Sequence, residues 1–140
     1  MHKPISTRLR HQQSAKTILV VDDSVDILDL MEMALSRDGY ALLRACTIAE
    51  ALEIWEDRAG SIDLVVTDVK LAESSSGLDL AERLLLLQPD LKVLAVSGFL
   101  RSEQAARTSS RISFLQKPFR WGDFLKRVQD ILESVDEPSR

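Results

Sequence analysis

From Thr17 onward the chain alternates short apolar, often β-branched runs with longer stretches whose apolar residues recur at helical spacing, and few architectures accommodate that alternation. The short runs fall at 17–21, 41–45, 63–67, 92–96 and 112–116, and the amphipathic stretches at about 25–38, 47–58, 78–87, 101–109 and 121–135. Five strand–helix pairs predict an α/β fold, a parallel sheet with helices on both faces. Lys92-Val93-Leu94-Ala95-Val96 is mostly apolar, as a strand covered on both sides should be. The punctuation agrees. Asp38-Gly39 closes the first helix, because Gly tolerates a left-handed C′ position. Asp23 or Ser24 is placed to cap that helix. Thr47-Ile48-Ala49-Glu50 reads as a capping box opening the second helix, and Gln88-Pro89-Asp90 ends the third.

At 140 residues the chain is long enough for one domain with one substantial core. Its apolar runs are short, the longest being Leu84 to Leu87, so no segment reads as a membrane span. The first sixteen residues have no apolar region of signal-peptide type. A lone Cys46 allows no internal disulfide, which fits a cytoplasmic protein. Lys3, Arg8, Arg10 and Lys16 give residues 1–16 a charge of +4, leaving 14 basic against 22 acidic residues in the rest. The acidic body argues against nucleic acid as a direct ligand. Residues 1–15 read as a disordered basic arm, 16–135 as the folded domain, and 136–140 as a charged tail.

The chemistry-bearing residues gather at one end of the predicted strands. Asp22-Asp23 follow the first, Asp68 the third, Ser97 the fourth and Lys117 the fifth. In an open α/β sheet the carboxyl ends of the strands are where ligands bind. Acids collected there repel one another unless a proton or cation intervenes. Mg²⁺ prefers oxygen ligands and keeps several waters, so a carboxylate pair beside a third carboxylate supplies part of its shell. Asp68, alone between Thr67 and Val69, is placed to act as a nucleophile, since carboxylates do accept phosphoryl groups. Lys117 and the Ser97 hydroxyl would then hold the oxygens over which charge spreads. Any one of these residues alone would be an ordinary cap, turn or surface group. The joint pattern is what points to phosphoryl chemistry.

These residues resemble the receiver domain of two-component response regulators. The resemblance rests on Ile18-Leu19-Val20-Val21-Asp22-Asp23, Val65-Val66-Thr67-Asp68, Gly77-Leu78-Asp79-Leu80, Val96-Ser97-Gly98 and Phe114-Leu115-Gln116-Lys117-Pro118-Phe119, spread over nearly all of 16–135. It implies a flavodoxin-like, doubly wound five-stranded parallel sheet of order 2-1-3-4-5 with five helices. It implies that Asp68 accepts a phosphoryl group from a phosphohistidine on a histidine kinase or histidine phosphotransfer protein. Asp23 would bind Mg²⁺ directly and Asp22 through water, with the backbone carbonyl of Lys70 as a further ligand. Ser97 and Lys117 would contact the phosphoryl oxygens, and Lys117-Pro118 would be a cis peptide. Phe114 falls at the switch aromatic position, a role compatible with core packing. Such a domain promotes only its own phosphorylation and dephosphorylation, and is a signalling phosphoacceptor rather than an enzyme. Its output would pass to a downstream protein through the fourth helix, fifth strand and fifth helix, carrying Arg101, Arg107, Arg111, Arg120, Trp121 and Phe124, with a homodimer left open. Trp121 is expected as a partly buried helix-start residue rather than a partner anchor.

The chain departs from the usual pattern at Ala72, where a proline commonly stands, and at Lys70 and Phe99 near the acceptor. The interval from Asp68 to Gly77 is also one residue longer than most. These departures keep one alternative in view, a phosphorylation-independent interaction module of receiver type. An aspartate-nucleophile phosphatase is disfavoured because Lys70 stands where its second acid would be. A nucleotide-binding domain is disfavoured because no Gly-rich phosphate loop follows the first strand.

Overall fold

The computed structural model describes residues 15–71, 76–98 and 111–134. The elements run β1 (Thr17–Val21), α1 (Val25–Arg37), β2 (Ala41–Ala45), α2 (Ile48–Asp57), β3 (Leu64–Asp68), α3 (Gly77–Leu87), β4 (Lys92–Ser97), β5 (Ile112–Gln116) and α4 (Trp121–Glu133). The five strands form one sheet of order β2-β1-β3-β4-β5, and every neighbouring pair is parallel. This is the flavodoxin-like arrangement. The helix predicted at 101–109 lies outside the described residues, as do Ala72, Phe99, the arm before Ala15 and the tail after Ser134.

Strand periodicity divides the core in two. Leu19, Val21, Val65, Val93 and Ala95 pack on one face against Ala51 and Trp55 of α2 and Leu78, Ala81 and Leu84 of α3. Ile18, Val20, Leu64, Val66, Leu94 and Val96 point the other way, against Leu28, Met31 and Leu35 of α1 and Phe124 and Val128 of α4. The central strands bury both faces and are therefore apolar between their polar ends; edge strands β2 and β5 are only partly buried. At roughly 1.5–3 kcal/mol for each large apolar side chain removed from water, these two layers dominate the stabilisation. Among the described residues no helix is long and apolar enough to cross a membrane.

Local chemistry fixes the ends of the elements. Ser24 caps α1, its Oγ accepting the Ile27 N–H at 3.3 Å. Gly39 follows α1 at φ 92°, in the left-handed region. Its N–H donates to Ser36 O, and the Tyr40 N–H returns to Leu35 O. Thr47 Oγ1 accepts the Glu50 N–H at 3.0 Å. The Glu50 carboxylate reaches back to the Cys46 N–H at 2.7 Å, one residue before the position a standard capping box would use. The third strand is shifted by one residue from the expected 63–67, so Asp68 is its last member. Asp63 instead takes the Thr17 N–H at 2.9 Å and ties the start of β3 to the start of β1.

Candidate functional site

The sheet order reverses between β1 and β3: the chain leaves β1 toward β2 on one side and returns to β3 on the other. A crevice opens at the carboxyl ends of strands that flank such a reversal. Register aligns those ends, with Val21 beside Thr67, Asp68 beside Val96 and Ser97 beside Gln116. The residues that follow β1 and end β3 and β4 therefore converge on one spot.

There, carboxylate oxygens of Asp22, Asp23 and Asp68 all lie within 4.8 Å of one another. Asp23 is exposed and Asp68 half-buried, whereas Asp22 is only 3% exposed. Asp22 Oδ1 accepts the Ser24 N–H at 2.9 Å. Burial pushes the Asp22 carboxyl above the ordinary carboxylate range. The Ser24 N–H opposes the rise, Asp68 adds to it, Lys117 opposes it and Asp23 adds to it. Lys117 Nζ is 3.2 Å from Asp68 Oδ2 and 4.0 Å from Asp22 Oδ2, so among the described residues one ammonium contacts two of the three clustered acids. That imbalance, with all-oxygen donors held by rigid strand ends, fits a small hard cation. Asp22, Asp23 and Asp68 are the residues that would hold it.

Asp68 is positioned from several sides. Its Oδ1 accepts the Lys70 N–H at 3.2 Å. Its carbonyl accepts the Thr67 hydroxyl at 3.0 Å. Lys70 and Ser76 form an antiparallel bridge, and Ser76 Oγ caps α3 through the Leu78 N–H at 3.1 Å. Gly77 then passes directly behind the acid, its N–H donating to Val69 O at 2.7 Å. A Cβ at Gly77 would collide with the Asp68 carbonyl oxygen and lie 2.5 Å from Thr67 Oγ1. The sequence marked Gly77 as a helix start; this close approach went unread, because the atoms it meets lie nine and ten positions back along the chain.

Ser97 is buried at the end of β4, and its carbonyl accepts the Lys117 N–H at 2.7 Å. The Lys117–Pro118 bond is cis. Phe114 is half-buried on β5, opposite Ala95 and against the α2/α3 core layer. Lys70 is exposed. Of the residues expected on the output face, Arg101 and Arg107 lie outside the described residues. Phe124 does not belong to that face. It is fully buried, because its position on α4 points into the core layer shared with α1. Trp121 opens α4 half-buried, edge-on to Phe119 at 5.3 Å and to Phe124 at 5.4 Å between ring centroids.

This fold and this acidic cleft are those of a receiver. The chain belongs to the response regulator receiver domain family, whose model matches residues 18–129. It is 34% identical over 122 residues to the sensor kinase CckA of Brucella abortus, covering 86% of this chain and 13% of that protein. It is 33% identical over 129 residues to the DNA-binding transcriptional regulator NtrC of Azospirillum brasilense, covering 90% of this chain and 26% of that one. The chain thus spans about a quarter or less of these relatives. Among solved structures, a response regulator receiver protein from Sinorhizobium medicae superposes with a TM-score of 0.78 at 26% identity, over 87% of this chain and 98% of that one. The response regulator TrrA of Thermotoga maritima, solved in complex with Mg²⁺-BeF, superposes with a TM-score of 0.71 at 27% identity, over 83% and 98%. Receiver domains work in two-component signalling, paired with histidine kinases and downstream effectors.

Proposed function

We propose that Asp68 is the phosphoacceptor of this receiver, taking its phosphoryl group from a phosphohistidine on a histidine kinase or histidine phosphotransfer protein. One observation carries the reading: Lys117 Nζ meets Asp68 Oδ2 at 3.2 Å beside two further carboxylates on the neighbouring strand end. Mg²⁺ is the cation this donor set favours, held by Asp22, Asp23, Asp68 and the backbone carbonyl of Lys70; the Mg²⁺-BeF complex of TrrA supports the assignment. When bound, the ion supplies positive charge to the transferring oxygens. A carboxylate oxygen of Asp68 bonds to phosphorus as the bond from phosphorus to the donor imidazole nitrogen breaks, leaving an acyl phosphate. Lys117 exchanges its contact with the free carboxylate for one with a phosphoryl oxygen, and the Ser97 hydroxyl donates to another.

The outcome is a change of state rather than repeated turnover of a substrate, since the domain promotes only its own phosphorylation and dephosphorylation. Phosphate favours one conformation because the contacts Ser97 and Lys117 make with it differ from those they make with the free acid. Phe114 moves as Ser97 is drawn in. The downstream protein reads the face of the helix predicted at 101–109, β5 and α4, which also serves any homodimer. The direct partner is protein rather than nucleic acid, and the compartment is the cytoplasm. Residues 16–135 form the working unit, between the basic arm and the charged tail.

Incubation with a small phosphodonor and Mg²⁺, followed by intact mass, tests the reading. One phosphate on the parent and none on Asp68→Asn is the expected result. No adduct on the parent, with metal bound, would overturn it in favour of an interaction module that works without phosphate.

A further inference from the structure

β5 is an outer strand of the sheet, and one of its outward backbone groups is occupied by a charge from α4. Arg111 O accepts the Val93 N–H and the Lys117 N–H donates to Ser97 O, so the odd-numbered residues of this stretch face β4. In a parallel ladder the N–H and C=O of one residue point the same way, which leaves Ile112, Phe114 and Gln116 facing outward. The outward Phe114 carbonyl accepts Arg127 Nη1 at 2.6 Å, the short distance of a charge-assisted bond. Arg127 is half-buried on α4, beside the buried Val128 and one turn from the buried Phe124.

The same helix is fastened at both ends to the strands that carry the site. At its start, Phe119, Trp121 and Phe124 pack ring to ring immediately after Lys117 and Pro118. At its end, Lys92 Nζ, from the first residue of β4, donates to Ile131 O, Ser134 O and Ser134 Oγ at 2.9–3.1 Å. Ser97 ends the strand that Lys92 begins, and Lys117 follows the strand that Arg127 holds. Arg127 is thus the mid-helix bond that fixes β5 to the body of the domain from the side its ladder leaves open.

We propose that Arg127 is a positioning residue for phosphoryl transfer: through the Phe114 carbonyl it sets the placement of β5 that brings Lys117 to Asp68. The proposal rests on the reading of Asp68 as acceptor. A shift of about 1 Å in a catalytic group can cost up to about a hundredfold in rate, whereas the backbone carrying the carboxylates is placed by the pairing of β1 with β3. Phosphorylation should therefore suffer while metal binding does not.

The test compares the parent with Arg127→Met, which keeps length without the donors, and Arg127→Lys, which keeps one charged donor. Each is titrated with Mg²⁺ by tryptophan fluorescence and phosphorylated by a phosphoramidate at saturating Mg²⁺, well below its melting temperature. Loss of stability alone leaves the rate there untouched. The expected result is an Mg²⁺ affinity within about twofold of the parent, a phosphorylation rate about tenfold lower in Arg127→Met and partial recovery in Arg127→Lys. A rate within about twofold of the parent in Arg127→Met overturns the proposal, as does a parallel loss of rate and Mg²⁺ affinity. Should Arg127→Met fail to fold, Arg127→Lys decides: a lowered rate supports the proposal and the parent's rate overturns it. A parent that takes no phosphate removes the reading of Asp68 itself, and is told apart by the absence of any adduct.

Discussion

Asp22 carries a cost in the acidic cleft that the rest of the fold offsets. It is the more buried of the cleft's acids, and its carboxyl is held above the usual range by burial first and by Asp68 and Asp23 besides. Its folded-state value therefore exceeds its unfolded one. The stability this contributes is full below the unfolded value of 3.8 and is lost as pH rises through the folded value. At neutral pH, without divalent metal, Asp22→Asn should stabilise the protein by about 1 kcal/mol, or roughly 3 °C, because the amide keeps an oxygen for the Ser24 N–H and sheds the charge. Thermal melts across pH in chelator check this: the gain of the variant should shrink toward acid pH, and a variant less stable than the parent at pH 7 would refute the account. Gly77 has the opposite character, since its missing side chain is what the site needs. Gly77→Ala should cost roughly 1–3 kcal/mol and weaken Mg²⁺ binding by displacing Asp68, both read from urea melts with and without the ion.

At the scale of the element, what the sequence revealed was whatever depends on near neighbours. The apolar runs that became β1, β3 and β4 had to be buried on both faces, and the Asp38-Gly39 stop and the Ser24 and Thr47 caps act within four residues. The acids, Ser97 and Lys117 were legible as candidates because strand ends are recognisable and βα alternation implies a parallel sheet with one shared carboxyl edge, whereas the strand order came from the resemblance to receivers. What escaped was whatever depends on distant packing: the one-residue shift of β3 that frees Asp63 to bond Thr17, the burial of Phe124, the Gly77 approach and the Arg127 bond to Phe114. The cap of α2 tests the local kind. Thr47 satisfies one orphan donor through its hydroxyl, while Asp22 is tied to this end of β2 through the Ala45 carbonyl, so Thr47→Ala should lower the unfolding free energy by about 1 kcal/mol and leave the phosphorylation rate unchanged. Urea melts beside a phosphodonor assay check both halves.

Across the whole molecule, two apolar layers hold the strand ends in register against a charge repulsion at the cleft. The carboxylates of Asp22, Asp23 and Asp68 are brought within 4.8 Å by the core, with Lys117 as the cation against them, so the fold is built under a repulsion that a divalent ion relieves. An ion that binds only the assembled cleft stabilises the folded state by mass action, about 2.7 kcal/mol at a hundred times its Kd. Mg²⁺ should therefore raise the unfolding midpoint while leaving the denaturant slope unchanged, because it adds no buried apolar surface. General screening of the acidic body would also raise the midpoint, but screening acts weakly on Asp22, which is buried. Potassium chloride at matched ionic strength should accordingly reproduce only a small part of the shift. Asp22→Asn should start from a higher midpoint without metal and gain less from Mg²⁺, the two curves drawing together as the ion is added. Equal gains in parent and variant would mean that the ion acts on the surface at large, and the cleft would lose its claim to be a metal site.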